Sequence, residues 1–298
     1  MRKEFIKILC DRARINKKIF LLVADLGFGV IEPFVKKFPK NFINVGISEQ
    51  NMAGMAAGIA SEGFKVFIYS IANFSTFRCA EQIRNDIDYH KLDVTIVSVG
   101  AGVGYGSQGY THHALQDYSL MRSFPNMEII SPSNNQELLA GMNYIFKNPG
   151  PKYLRLDKDE ISTKVKKKDF LLKPGQWVLI KKGTIKKAIL ITGSCLDKAF
   201  VLEKERYKNY YIFSLPIWAS KYKKKQNYQL RKFSDVVVLE NHFQDGGFSS
   251  WLREAKNDNL NIKIKSISIL PEVTGAVGNR DFLEKNFFNS IFNITFSK

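Results

Sequence analysis

Cysteine is scarce: Cys10, Cys79 and Cys195 are the only three in a chain of 298 residues. Their odd number excludes a complete disulfide framework, and their spacing lacks the close pairs of a metal knuckle or a CxxC redox motif. They point to reduced thiols in a cytoplasmic setting. Long apolar runs are missing too, and no window approaches the roughly 18 residues that a membrane-spanning helix needs. Met1 to Lys18 mixes charge with apolar positions at helical spacing, so no signal peptide is expected there, and no membrane contact. Acidic residues are few beside basic ones, 28 against 45, which leaves a formal net charge of +17. Such an excess raises the question of nucleic acid or anionic partners. The lysines are scattered, however, with local clusters at Lys164 to Lys168, Lys181-Lys182, Lys186-Lys187 and Lys221 to Lys225. No nucleic-acid motif accompanies them, and they read as solvated faces.

What is present can build sizeable cores: 45% of residues are apolar and 13% aromatic, in a length that suits two α/β domains. Helix and strand patterns alternate. An amphipathic helix at Lys3 to Asn16 precedes an apolar strand from Ile19 to Ala24. A helix from Ser48 leads to the strand Lys65 to Tyr69, a helix from Ala80 to Tyr89 to the strand Val94 to Val99, and Ile129-Ile130 to the helix Asn135 to Phe146. Strands at Ala188 to Thr192, Tyr210 to Phe213, Asp235 to Glu240 and Ile262 to Ile269 follow, with helices at Leu196 to Tyr207 and Gly247 to Ala255. This βα alternation predicts two doubly wound α/β domains, at 1–160 and 174–298. Between them a linker is expected at 161–173, within the Lys-rich, weakly periodic stretch from Asp157 to Lys173.

Several local features invite a chemical reading. Ser48 suits an N-cap, Glu49 and Gln50 fall in the first helical turn where the dipole favours an acceptor, and Gly63 closes the segment. Met52 to Ala60 is so rich in small residues that the helix must pack closely against another backbone, which marks Glu49 for a buried interface. On spacing alone it reads as an ordinary capping carboxylate. Ile71, Phe74 and Phe77 recur every three residues, the spacing of one side of a helical turn, and by themselves read as core. Gly104-Tyr105-Gly106-Ser107-Gln108-Gly109 fits G-x-G-x-x-G, but the residues after it do not open a helix, so a dinucleotide site is not expected. His112 and His113 are adjacent, so in an extended loop they point to opposite sides and cannot easily share a metal. A neutral imidazole in a cleft can hydrogen-bond hydroxyls or move protons near neutral pH, or simply be a loop histidine.

Three blocks carry a specific resemblance. Asn44 to Phe67 (NVGISEQNMAGMAAGIASEGFKVF), Ile71 to Arg84 (IANFSTFRCAEQIR) and Gly106 to Glu137 (GSQGYTHHALQDYSLMRSFPNMEIISPSNNQE) occur in one order. Together they resemble the pyrimidine-binding domain of thiamine diphosphate enzymes of the transketolase group. Val238-Leu239-Glu240-Asn241-His242 with Gly246-Gly247 echoes that family's smaller C-terminal domain. The resemblance implies that Glu49 hydrogen-bonds the pyrimidine ring nitrogen and favours the imino tautomer, whose nitrogen removes the thiazolium proton. Burial would raise the carboxyl pKa in the direction that this job needs. It further implies that Ile71, Phe74 and Phe77 form the ring pocket, with Phe74 stacked on the ring, and that His112 is catalytic and contacts substrate. Ile71 replaces the aromatic often found at its place.

The resemblance also implies what must come from elsewhere. Family members carry a Gly-Asp-Gly motif that holds Mg²⁺ and the diphosphate; this chain has none, and Asp245-Gly246-Gly247 lacks the leading glycine. The expected protein is therefore the C-terminal subunit of a split transketolase, with no metal site of its own, pairing with a separate N-terminal, diphosphate-binding subunit in a heterotetramer. It would move a two-carbon ketol unit from a ketose to an aldehyde. Related activities are deoxyxylulose-phosphate synthesis, the beta subunit of a 2-oxo acid dehydrogenase, or a non-catalytic partner-binding role. On the substrate side Gln108 stands where an acid is usual, Gly100 leaves space where a histidine is usual, and Lys158 replaces a phosphate-binding arginine. Lysine binds phosphate as a point charge rather than a fork. A sugar substrate other than the common pentose phosphates is expected.

Overall fold

The computed structural model describes residues 1–158 and 172–288, and the expected linker at 161–173 lies almost wholly outside them. Twelve described strands run in chain order. They are β1 (Ile19–Val23), β2 (Phe42–Asn44), β3 (Lys65–Ile71), β4 (Val94–Val99), β5 (Glu128–Ile130) and β6 (Lys152–Leu156), then β7 (Val178–Lys181), β8 (Lys187–Ile191), β9 (Tyr211–Ser214), β10 (Ile217–Trp218), β11 (Asp235–Phe243) and β12 (Lys263–Ile269). They form a seven-stranded sheet, ordered β10-β5-β6-β4-β3-β1-β2, and a five-stranded sheet, ordered β12-β11-β8-β9-β7.

The first sheet is parallel except for β10. Its central strands are apolar on both faces because helices cover both, and every residue of β3 and β4 is buried. On one face lie the helices Arg2–Ile15, which buries Phe5, Ile6 and Leu9, and Asn135–Lys147, which buries Leu138, Met142 and Ile145. The second of these starts where Asn134 accepts from the Gln136 and Glu137 amides, both at 2.9 Å. On the other face the helix Glu49–Ser61 presses Met52, Ala53 and Ala56 onto Leu22, Val66 and Ile96. The helix expected from Ala80 to Tyr89 is broken: a short turn, Ala80–Gln82, passes into a π-helical segment, Ile83–Asp88. The wider turn sets Asp88 inward, where Asn126 donates to its carboxylate at 3.3 Å.

The second sheet holds β8, β9, β11 and β12 in parallel, as the alternation predicts, with β7 added antiparallel at the edge. The two sheets share a core. Trp218 lies with its ring 5.1 Å from Tyr118 and 5.2 Å from both Phe248 and Trp251. Trp218 also pairs antiparallel with Ile129, so the second half of the chain supplies the outermost strand of the first sheet.

Candidate functional site

Glu49, Phe74, His112 and Lys158 all follow the carboxyl ends of parallel strands, β2, β3, β4 and β6 respectively. That edge is where open α/β sheets take ligands. The chain leaves β2 through a turn pinned by Asn44, whose side-chain oxygen accepts from the Asp25 amide at 2.9 Å and the Gly46 amide at 3.1 Å. Gly46 has φ +73°, a conformation that a side chain would strain. The hydroxyl of Ser48 turns back into this bend and donates to the Val45 carbonyl at 2.8 Å. The expected Ser48 side-chain cap is not made: the hydroxyl oxygen accepts from none of the first helical amides.

Glu49 itself is only 3% exposed. One carboxylate oxygen accepts from the Ser70 hydroxyl at 3.3 Å, and the other pairs with the Arg78 guanidinium at 3.0 Å. A capping carboxylate would face water; this one faces the end of β3 and the segment after it.

That segment splits the expected aromatic trio. Ile71 is the last residue of β3, paired with Val99 and buried in the sheet. The side chains Phe74 and Phe77 sit on the following helical turn, Phe74–Phe77, and line a cleft of about 470 Å³ with Asn73, Arg78, Tyr110 and Gln116. The three-residue spacing does not put Ile71 on their face, because it belongs to an extended strand. Two hydroxyls lock the turn: Ser75 bonds Ser98 at 2.6 Å and Thr76 donates to the Ala72 carbonyl at 2.7 Å. Asn73 then donates to the Thr111 carbonyl at 2.8 Å and ties this turn to the loop carrying His112.

His112 meets the edge of Phe74, ring centroids 4.9 Å apart at 67°. Its Nδ1 bonds the Thr111 hydroxyl at 2.9 Å. Burial, and then the nearby charge of Arg78, push its pKa down, so the ring is neutral near pH 7. His113, the next residue, is buried. The glycine-rich loop opens no helix: it makes two 3₁₀ turns, Gly106–Gln108 and Tyr110–His112.

The substrate-side residues are less gathered. Gln108 is exposed, between Ser107 and Tyr110. Ser107 lines a separate cavity of about 280 Å³ with Lys158 and Arg280, so Lys158 stands apart from the cleft at Phe74. Gly100 does not leave the expected space. Its φ is +88°, and a Cβ there would lie 2.2 Å from the ring of Tyr105, which fills the position. The ammonium of Lys158 sits 4.8 Å from the same ring.

Two features escaped sequence reasoning. Arg78 sets its guanidinium carbon 3.7 Å from the centroid of Phe74 while pairing with Glu49; its i,i+4 spacing from Phe74 was the available signal. Arg155, fully buried, makes a forked pair with Asp117 at 2.6 and 3.1 Å and donates to the Ala114 carbonyl at 2.6 Å and the Asn241 carbonyl at 3.1 Å. It thereby fastens the end of the His112 loop to β11 of the other sheet. Among the described residues no group of three or more His, Cys, Asp or Glu is placed to hold a metal ion, and no helix is long and apolar enough to cross a membrane.

Comparison with known proteins gives a consistent picture. The family model for the transketolase pyrimidine-binding domain matches residues 1–163. A transketolase C-terminal section from Methanocaldococcus jannaschii is 31% identical over 96% of this chain and 91% of that protein. One chain of an apulose-4-phosphate transketolase from Phocaeicola vulgatus is 28% identical over 93% of this chain and 89% of that one. Among solved structures, a split-gene transketolase described as an inactive β4 tetramer superposes with a TM-score of 0.78 at 30% identity, over 92% of this chain and 90% of the other.

Proposed function

The chain belongs to the transketolase family, and from that membership we propose that it is the C-terminal subunit of a split enzyme that transfers a two-carbon ketol unit from a ketose to an aldehyde. One observation carries the reading: a buried carboxylate, Glu49, joined through Arg78 to the face of Phe74, with His112 at that ring's edge. A domain retained only for its shape has no use for a buried carboxyl in this position, since burying it costs free energy.

These residues fit thiamine diphosphate. An aromatic face takes a planar pyrimidine by stacking, and a carboxyl beside it takes a ring nitrogen. When bound, the cofactor supplies the carbon nucleophile that carries the ketol unit. Glu49 would hold the proton shared with the pyrimidine nitrogen. Phe74 would orient the ring, with Phe77 completing the apolar wall, and Ser70 would fix the carboxyl through its hydroxyl. His112, with Nδ1 engaged by Thr111, keeps Nε2 for a substrate hydroxyl. We assign Mg²⁺ and the diphosphate to a separate N-terminal subunit, because Gly-Asp-Gly is absent here, and the assembly to a heterotetramer. The three buried free cysteines support a cytoplasmic setting.

Selectivity then rests on Tyr105, Gln108 and Lys158. Tyr105 fills the wall at Gly100, neutral Gln108 offers donors and acceptors without charge, and Lys158 offers an anion a point charge. That set of side chains differs from histidine, acid and arginine, and supports a sugar other than the common pentose phosphates. The test is reconstitution. The isolated chain should bind thiamine diphosphate poorly by calorimetry, and ketol transfer should appear only when the N-terminal subunit is added. Tight Mg²⁺-dependent binding by this polypeptide alone would sink the split-enzyme assignment.

A further inference from the structure

Arg78 stands where a stacked ring would go. Its guanidinium carbon is 3.7 Å from the Phe74 centroid, the separation of two planar groups in contact. A planar ligand on that face and the guanidinium exclude each other. Among the described residues this guanidinium has one ion-pair partner, Glu49, and one ring, Phe74. Both belong to the proposed pyrimidine site.

The two ends of the ion pair are unequal. The Glu49 side chain is 2% exposed and that of Arg78 45%. The carboxylate is fixed in the wall, whereas the half-exposed arginine borders solvent. The pair also has a reason to exist before ligand arrives: a buried carboxylate without a counter-charge is costly, and Arg78 supplies one.

We propose that Arg78 is a displaceable latch on the pyrimidine slot, covering the face of Phe74 and holding the Glu49 carboxylate in the free subunit, and giving up both contacts when the cofactor ring enters. The inference rests on the thiamine diphosphate reading of the site. It adds a competition that this reading alone does not contain. Arg78 opposes binding of the pyrimidine half and leaves the diphosphate half, held elsewhere, unaffected.

The probe is 4-amino-5-hydroxymethyl-2-methylpyrimidine, the aminopyrimidine half of thiamine, titrated into the full chain and followed by ligand-observed NMR. Wild type, Arg78→Ala and Arg78→Lys are compared. Removing the guanidinium should tighten binding about 5-fold, equivalent to about 1 kcal/mol. Arg78→Lys keeps the charge but not the planar cover, so it should fall between the two. It also serves if the alanine variant folds poorly, which urea midpoints report. Equal or weaker binding by the variants overturns the latch and makes Arg78 a bystander or a cofactor contact. The same variants, reconstituted with the N-terminal subunit and titrated with thiamine diphosphate and Mg²⁺, separate the two levels of the argument. If neither probe binds wild type or variants, the cofactor reading fails and the latch fails with it.

Discussion

Replacing Glu49 with glutamine separates a chemical role from a structural one. The change preserves shape and leaves an acceptor oxygen for the Ser70 hydroxyl, whose bond is long at 3.3 Å. What is lost is the charge pairing with Arg78, whose side chain is 45% exposed, and half-exposed pairs contribute up to about 1 kcal/mol. The folded chain should therefore lose no more than about 1 kcal/mol. A positioned acid, by contrast, contributes about 10²–10⁴-fold in rate, or roughly 2.7–5.4 kcal/mol of barrier. The two costs differ enough to be told apart. Urea denaturation of the chain gives the first; turnover of the reconstituted pair gives the second, with exchange of the thiazolium proton slowing in parallel. Were Glu49 only a first-turn acceptor for the helix dipole, both effects would stay below about 1 kcal/mol. An unchanged exchange rate, or a turnover loss matched by an equal loss of stability, would refute the assignment.

Two other changes probe the buried frame behind the cleft. Arg155→Met should cost about 3–5 kcal/mol in urea denaturation, because it leaves the Asp117 carboxylate buried without its forked partner; adding Asp117→Leu should recover part of that loss, and simple additivity of the two would show that they do not act as a pair. Burial pushes the His242 pKa down from 6.5 to about 4, so the folded state holds this ring neutral while the unfolded chain protonates it. Stability from this group is complete above about pH 6.5 and is lost as pH falls toward 4, by about 3 kcal/mol. A His242→Gln variant should show a flatter stability profile across that window, whatever its absolute stability, and an unchanged slope would count against His242 as the source.

The parts of this molecule that depend on local pattern were legible in the sequence. Strands such as Ile19–Val23 read as continuous apolar runs because helices cover both faces of the sheet, and the helices beside them carry a 3.6-residue stripe. The proposed site residues Glu49, Phe74 and His112 stand out only through the order of three motif blocks, since a first-turn acid, an aromatic repeat and a loop histidine each have ordinary explanations. What stayed hidden is long-range. Ile71 shares its spacing with Phe74 and Phe77 but ends a strand, and no periodicity reports where a strand gives way to a turn. Ser48 looks like a cap until its hydroxyl is seen bonding Val45. Gly100 looks like an opening until Tyr105, five residues on, folds back over it. Arg155 meets Asp117 and Asn241 across 38 and 86 residues of chain, distances at which composition and spacing carry no signal.

Strand β10 has a consequence for how such a protein can be divided or recombined. Ile217 and Trp218 lie in the second half of the sequence yet cover the outer edge of β5 in the first sheet. A polypeptide ending near residue 160 would leave the backbone groups of that edge open and strip Tyr118 of the Trp218 ring packed against it. An open edge of this kind is a template for pairing with other chains. The unit that can be cut out, fused or exchanged between relatives is therefore not the first sheet alone. It must carry the segment that returns from the second, and the border between the halves runs through the packing.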